Sequence, residues 1–373
     1  MAYSFGSICF VGSDAYPVLN PSYGGHYIGG ESIQQTLLAR EFVRQGFQVS
    51  LIDIDYGQPT DRPIHGISIL KTFREDAGMP VLRFLHPRMT SILRSLKEAN
   101  ADVYYQSCAG MKTGLVAWHC SRYGKKFIFR IAHDTDCIPG RQLIQFWRDR
   151  KIYEFGLKRA DAIFAQSAKQ RDLLNHYYGI DSVCIDMVVE PPTSHHEKRD
   201  IDILWVNNLR DFKRPDLGLE LARRLSQRRI VMIGGKCKGH EALYQEIESQ
   251  AKEISNLDFL GFVPYHDVNN YYSRAKVFVN TSDSEGFPNS FLQAWIRGVP
   301  VVSFFDPDDV ITSQTLGIRP TDLQGMVDAV QDLLLNEKGR RQMGENGRRF
   351  VHAKYAPENV VPRYVEIIDR LSV

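Results

Sequence analysis

The sequence predicts an α/β protein made of two Rossmann-like, doubly wound parallel-sheet domains. Three observations carry that expectation. Short apolar runs alternate with longer amphipathic stretches, a proline-rich polar stretch interrupts the alternation midway, and 373 residues exceed what one ordinary core holds.

The first run is Ile8 to Val11, ending at Gly12 and followed by a loop rich in Gly, Pro and Tyr. Residues 31 to 45 read as an amphipathic helix, with Ile33, Leu37, Leu38 and Val43 on one face and Gly46 as its C-terminal stop. Phe47 to Ile54, Asp102 to Tyr105, Lys126 to Ile131, Ala162 to Ala165 and Val183 to Val188 read as strands, most of them separated by helical patterns. The stretch 190–199, opening Glu190-Pro191-Pro192, reads as a linker. Beyond it the alternation resumes with Ile203 to Val206, a helix near 215 to 227, Ile230 to Ile233 before Gly234-Gly235, Leu257 to Leu260, Val277 to Asn280 and Val299 to Ser303. Helices over roughly 322–336, 338–353 and 357–371 close the chain. The expected domains are 1–190 and 191–355, facing across a cleft, and ligands of such sheets bind beyond the C-terminal strand edges.

Composition narrows the function classes. Hydrophobic residues are 43% and charged residues 24%, with a formal net charge of +2, which gives no global case for binding nucleic acid. Six scattered cysteines without a C-x-x-C pair fit neither a disulfide framework nor a zinc site. Residues 1–7 lack the basic segment and apolar core of a signal peptide, and no apolar run approaches the ~20 residues that span a bilayer. The expectation is a cytoplasmic protein with at most peripheral membrane contact.

The most informative segment runs from Asn280 to Trp295. A buried strand ends in a polar loop carrying Glu285, and a helix starts near Pro288. Free amides and the dipole at that start attract an anion, while Glu285 is placed to accept from sugar hydroxyls and Gln293 lies about one turn further on. By itself this pattern fits equally a strand–loop–helix corner with a capping carboxylate.

From Asn208 to Ser303 the chain resembles the nucleotide-sugar domain of the family 4 retaining glycosyltransferases (glycosyl transferases group 1), which have the GT-B fold. The matching pieces are Asn207 to Pro215, Ile233-Gly234-Gly235, Phe259 to Val263, the Glu285 segment, and Gly298 to Val302. The resemblance implies a metal-independent transfer of sugar from a UDP- or GDP-linked donor to a hydroxyl acceptor, with no further cofactor. The acceptor would be a glycan or lipid-linked glycan of bacterial-type polysaccharide, glycolipid or glycoconjugate synthesis. It implies that Glu285 contacts the donor sugar, that Lys213 binds the diphosphate, and that the amides of Gly286, Phe287, Pro288–Asn289 and Ser290 surround sugar and phosphates. Gly234 and Val263 belong to the same donor site, Gly29 and Gly30 at the first strand–helix junction add to the phosphate site, and His133 lines the reaction centre. The resemblance makes His133, Lys213 and Glu285 the catalytic set, makes 1–190 the acceptor domain, and lets the last helix, 356–373, pack back on it.

Two positions depart from the family. Its second glutamate, which binds ribose, is Gln293 here; its diphosphate-binding arginine is Asn208, with Arg210 nearby as a substitute at a different spacing. These departures keep a non-catalytic nucleotide-sugar-binding subunit as an alternative. A nucleotide-dependent oxidoreductase is the other, disfavoured because no G-x-G-x-x-G follows the first strand and only Asp53 and Asp55 end the second. His133-Asp134-Thr135-Asp136 and His195-His196 offer too few ligands for a metal site. Residues 81–97 mix apolar side chains with Arg83, Arg88, Arg94 and Lys97, a pattern of either ordinary helix packing or peripheral membrane contact.

Overall fold

The computed structural model describes residues 6–23, 27–192 and 198–371. Thirteen strands form two parallel sheets among these residues. The first sheet contains β1 (Ser7–Val11), β2 (Gln48–Asp53), β3 (Ile67–Lys71), β4 (Val103–Ser107), β5 (Lys126–Arg130), β6 (Ala162–Ala165) and β7 (Val183–Cys184), in the order β3-β2-β1-β4-β5-β6-β7. The second contains β8 (Ile201–Val206), β9 (Ile230–Ile233), β10 (Leu257–Phe259), β11 (Ala275–Asn280), β12 (Val301–Ser303) and β13 (Gly317–Ile318), in the order β10-β9-β8-β11-β12-β13.

Strand periodicity sorts the side chains into layers. In β1, Ile8 and Phe10 enter one core with the helix Gly30–Arg44, while Cys9 and Val11 enter the opposite core with Ile92, Leu96, Val116 and Tyr153. Val360, Val361, Tyr364, Val365 and Ile368 of the final helix, Pro357–Arg370, complete the first of these cores. That helix also partners Arg130, a fully buried guanidinium bonded to the Tyr364 hydroxyl. The second sheet has its own core around Ile203, Trp205, Leu219, Val277 and Val330.

The chain divides into two compact units. One comprises the described residues up to Tyr23, Gly30–Val188 and the chain from Pro357 on; the other is Val189–Ala356 with the short segment ending at Gly29. The expected uninterrupted domain 1–190 is corrected on this point. Tyr27 and Ile28 belong with the second unit because Arg210 Nη2 donates to the Tyr27 hydroxyl at 2.7 Å and Asn208 Nδ2 to the Ile28 carbonyl at 2.8 Å.

The strand expected over Val183 to Val188 ends at Cys184. Beyond it the Gln34 side chain takes the place of a neighbouring strand, accepting from the Val188 amide and donating to its carbonyl, both at 3.0 Å. Strands β3 and β13 are edge strands that the apolar pattern did not predict.

Candidate active site

In the second sheet β8 and β11 lie side by side, with β9 and β12 built outward on either hand. Loops leaving two such strands at their C-terminal ends diverge to opposite faces and leave a crevice between them. Here they are stitched together. The Asp283 amide donates to the Phe212 carbonyl at 2.9 Å. Thr281 Oγ1 lies 2.9 Å from the carbonyl oxygens of both Lys213 and Arg214 and accepts from Trp205 Nε1 at 2.9 Å. The backbone of Lys213 is thereby fixed from the strand β11 side.

Its side chain is fixed as well. Lys213 Nζ pairs with Glu285 Oε1, and the same oxygen accepts from Ser282 Oγ at 2.7 Å and lies 3.5 Å from Asn280 Nδ2. Both side chains are largely withdrawn from solvent, 15% exposed for the lysine and 9% for the glutamate. Sequence placed these two residues in one site from family likeness; the geometry brings them into direct contact. Asn280, Thr281, Ser282 and Trp205 were not foreseen. A polar run after a strand was the available signal for the first three, whereas a tryptophan inside a strand reads only as core.

The helix beyond the loop is Asn289–Ile296, one residue later than the sequence suggests, with Pro288 at the N-cap and no side-chain cap. Phe287 is buried against Trp295 and Tyr355, which anchors the loop and aims the helix start. Gly286 and Phe287 to Ser290 thus surround an N-terminus whose dipole favours an anion. Gly234 follows β9 and its amide donates to the Gly261 carbonyl at 2.9 Å. A Cβ there would stand 2.5 Å from the Asn207 carbonyl, so the close approach requires glycine. Val263 lies in the loop between β10 and the helix Tyr265–Arg274.

The two departing positions are committed inside the second unit. Gln293 Oε1 accepts from Arg297 Nη1 at 2.7 Å, and its amide nitrogen lies 3.4 Å from the Tyr265 hydroxyl. A carbonyl expected to serve a ribose hydroxyl therefore already holds one donor. Asn208 and Arg210 hold Ile28 and Tyr27, with the guanidinium 5.4 Å from the tyrosine ring centre.

In the first unit, Gly30 opens the helix Gly30–Arg44 while Gly29 belongs to the second unit. The C-terminal strand edge carries Glu31, whose Oε1 accepts from Gln166 Nε2 at 2.7 Å, and Gln35, which donates to Ser107 Oγ at 2.6 Å. Burial raises the Glu31 carboxyl above its ordinary range, against the pull of Arg130. Among the described residues Glu31 Oε2 and Gln35 Oε1 are buried with no geometrically formed hydrogen bond, the Ser107 hydroxyl being close enough to the Glu31 carboxyl to lower its pKa. This polar pair was missed because the helix pattern reads both as ordinary polar residues of the first two turns.

His133 follows β5 and caps the turn Asp134–Cys137, its Nδ1 accepting from the Thr135 amide at 3.2 Å. An accepting Nδ1 leaves the neutral ring's proton on Nε2. Asp136 Oδ2 accepts from the His133 amide at 3.1 Å, and burial pushes its carboxyl up to about 7. Asp134 is tied to Lys169 and Gln170. Among the described residues no three His, Cys, Asp or Glu side chains are grouped to hold a metal ion, and His195-His196 lies outside the described residues, as does Gly24-Gly25. Asp53, the acidic residue ending β2, is fully buried and spent on the amides of Tyr16 and Ile54, which removes it as a ribose ligand. Of residues 81–97, Ile92 and Leu96 enter the core with Met89 and Leu93 packed against it, whereas Val81, Leu82 and Leu85 are exposed. Among the described residues no helix is long and apolar enough to cross a membrane.

Residues 190–350 match the family model for glycosyl transferases group 1, and residues 28–189 match that for Glycosyltransferase Family 4. The chain belongs to the group 1 glycosyltransferases. The chain is 27% identical over 152 residues to the 2-deoxystreptamine N-acetyl-D-glucosaminyltransferase of Niallia circulans, covering 40% of the chain and 39% of that relative. It is 27% identical over 265 residues to the O-antigen chain mannosyltransferase C of Escherichia coli, covering 65% of the chain and 68% of that relative. Among solved structures, the chain superposes on the sucrose-phosphate synthase of Thermosynechococcus elongatus with a TM-score of 0.75 at 16% identity, over 98% of both chains. HepE of Anabaena, in complex with UDP-glucose, gives 0.74 at 14% identity over 98% of this chain and 99% of that one. The fold is GT-B, with two Rossmann-like domains.

Proposed function

We propose that this chain moves a sugar from a UDP- or GDP-linked donor to a hydroxyl acceptor, with retention of anomeric configuration and without a metal ion. The observation that carries the proposal is the Lys213–Glu285 pair, largely withdrawn from solvent, beside the start of the helix Asn289–Ile296, which has no side-chain cap. Departure of a nucleoside diphosphate places negative charge on phosphate oxygens. A fixed ammonium and aligned amides stabilise that charge in the role a metal would otherwise take. Glu285 then turns to the hydroxyls of the donor sugar. The UDP-glucose held by HepE favours a uridine donor, and the names of the O-antigen relatives favour a glycan or lipid-linked glycan acceptor.

No side chain is placed as a nucleophile in this reading. The departing diphosphate takes the acceptor proton, and His133 presents its Nε2–H to the donor sugar. The first unit receives the acceptor, with Glu31 and Gln35 as hydroxyl partners, and Gly29 and Gly30 add amides to the phosphates. The protein works in the cytoplasm, with peripheral membrane contact through 81–97.

Isothermal titration with a panel of UDP- and GDP-sugars, followed by donor turnover, tests the proposal. Glu285→Ala and Lys213→Ala are expected to lower turnover by at least ~100-fold, the scale of losing one charge-stabilising group. Full turnover in both variants, or its abolition by EDTA with rescue by a divalent ion, overturns it. Binding without turnover favours the non-catalytic subunit that Gln293 and Asn208 suggest.

A further inference from the structure

Among the described residues, seven of the exposed large apolar side chains of the first unit fall on two segments, while Trp118, Tyr123, Phe155, Tyr177 and Val183 lie elsewhere. Val81, Leu82 and Leu85 stand out on one, and Leu143, Phe146 and Trp147 on the other, with Val81 90% and Trp147 75% exposed. The segments adjoin, because the Arg148 guanidinium lies over the Phe84 ring at 3.3 Å and 5.7 Å from the Phe146 ring centre. Val81 also has φ +71°, which is costly for a β-branched residue. Its side chain gains no burial in return, so the fold itself does not benefit from valine there.

The charge on these two segments is mainly positive. Residues 77–97 carry four Lys or Arg and no carboxylate, and residues 141–151 carry four Lys or Arg and one carboxylate, a formal +7 against +2 for the whole chain, although Glu75, Asp76 and Glu98 flank the first segment and Glu154 pairs with Lys151. That one carboxylate, Asp149, is paired with Arg148 at 2.9 Å. A tryptophan and a phenylalanine flanked by arginines suit the boundary between headgroups and acyl chains. Several cations there add attraction to anionic lipid, roughly 1 kcal/mol each near the surface.

We infer that Leu143, Phe146 and Trp147 form, together with Val81, Leu82 and Leu85, one surface that seats the protein on an anionic bilayer. The inference rests on the membrane contact proposed through 81–97 and adds a second segment and the sign of the lipid charge. The cations on both segments contact headgroups while the six apolar side chains enter the interface.

Co-sedimentation at low salt with vesicles of phosphatidylglycerol and phosphatidylcholine, against phosphatidylcholine alone, tests it. The intact chain is expected to bind the anionic vesicles at least tenfold more strongly, with a blue shift of tryptophan emission that is absent in Trp147→Phe. Phe146→Ser/Trp147→Ser and Leu82→Ser/Leu85→Ser are each expected to weaken binding tenfold or more. UDP affinity and the thermal midpoint should stay unchanged, which separates loss of the surface from loss of the fold or of donor binding. Weakening by the Leu82/Leu85 pair alone overturns the second segment and leaves the 81–97 contact standing. Absence of vesicle binding by the intact chain overturns both, as does a concentration-dependent dimer that both variants abolish. Equal binding to both vesicle types overturns the charge selectivity.

Discussion

Glu285 Oε1 is surrounded by the Lys213 ammonium, the Ser282 hydroxyl and the Asn280 amide, so the two charges satisfy each other within the protein. An arriving diphosphate has to draw Lys213 away from the glutamate, and the two halves of a donor should respond differently to substitution. Glu285→Gln is expected to keep UDP affinity within a few-fold of the parent, or to raise it, while turnover of the UDP-sugar falls. Lys213→Met should lose UDP affinity tenfold or more, the scale of one charge-assisted contact; calorimetry with UDP and a donor-release assay read the two effects. Asp53 offers a second measurement, in pH. Burial lifts its carboxyl from 3.8 to about 7, outweighing the bonds from Tyr16 and Ile54. The folded chain therefore binds a proton there that the unfolded chain has already released, and stability contributed by this group falls as pH rises from about 4 to 7. The stability difference between the parent and Asp53→Asn, from urea unfolding, should shrink across that window by at most about 1.4 kcal/mol per pH unit.

At the scale of elements, the candidate site depends on how strand ends and loops are tied. Thr281 joins β8, through Trp205, to the loop that carries Lys213. Thr281→Val keeps the volume, leaves the buried indole N–H unpaired and frees that loop. A loss of about 1–3 kcal/mol in urea unfolding and a raised donor KM with a smaller change in kcat are expected. Gly234→Ala should act through backbone displacement, lowering stability by about 1–3 kcal/mol, because its Cβ and the Asn207 carbonyl cannot share the space. Legibility also varied by element. Central strands such as Ile230–Ile233 and Ala162–Ala165 were found to the residue because both faces are buried and the apolar run is continuous. Strands β3 and β13 lie at sheet edges, where a five- or two-residue pattern has no such run. The Lys213–Glu285 contact spans 72 positions and depends on β8 and β11 being neighbours, which family likeness could suggest and local pattern could not. Thr281 and Trp205 stayed illegible because the partner of a single indole N–H is set only by tertiary packing.

At the scale of the molecule, both compact units are discontinuous in sequence. The alternation of strands and helices announced two sheets, but nothing local marks Tyr27 and Ile28 as belonging with residues 183 and 180 positions away. Removing the chain from Pro357 on strips five apolar side chains from the first unit's core and takes the Tyr364 hydroxyl from Arg130, leaving it Tyr105. A truncation at Ala356 is expected to bind a hydrophobic dye and to yield to protease within residues 30–188, while the second unit keeps UDP affinity; retention of a protease-resistant first unit would contradict this. The same discontinuity bears on synthesis. A ribosome adding roughly 5–20 residues per second finishes β7 and then needs about 10–40 s before the closing helix is made. Through that interval the nascent first unit carries an open apolar seam, and the second unit can reach its native core before the first does.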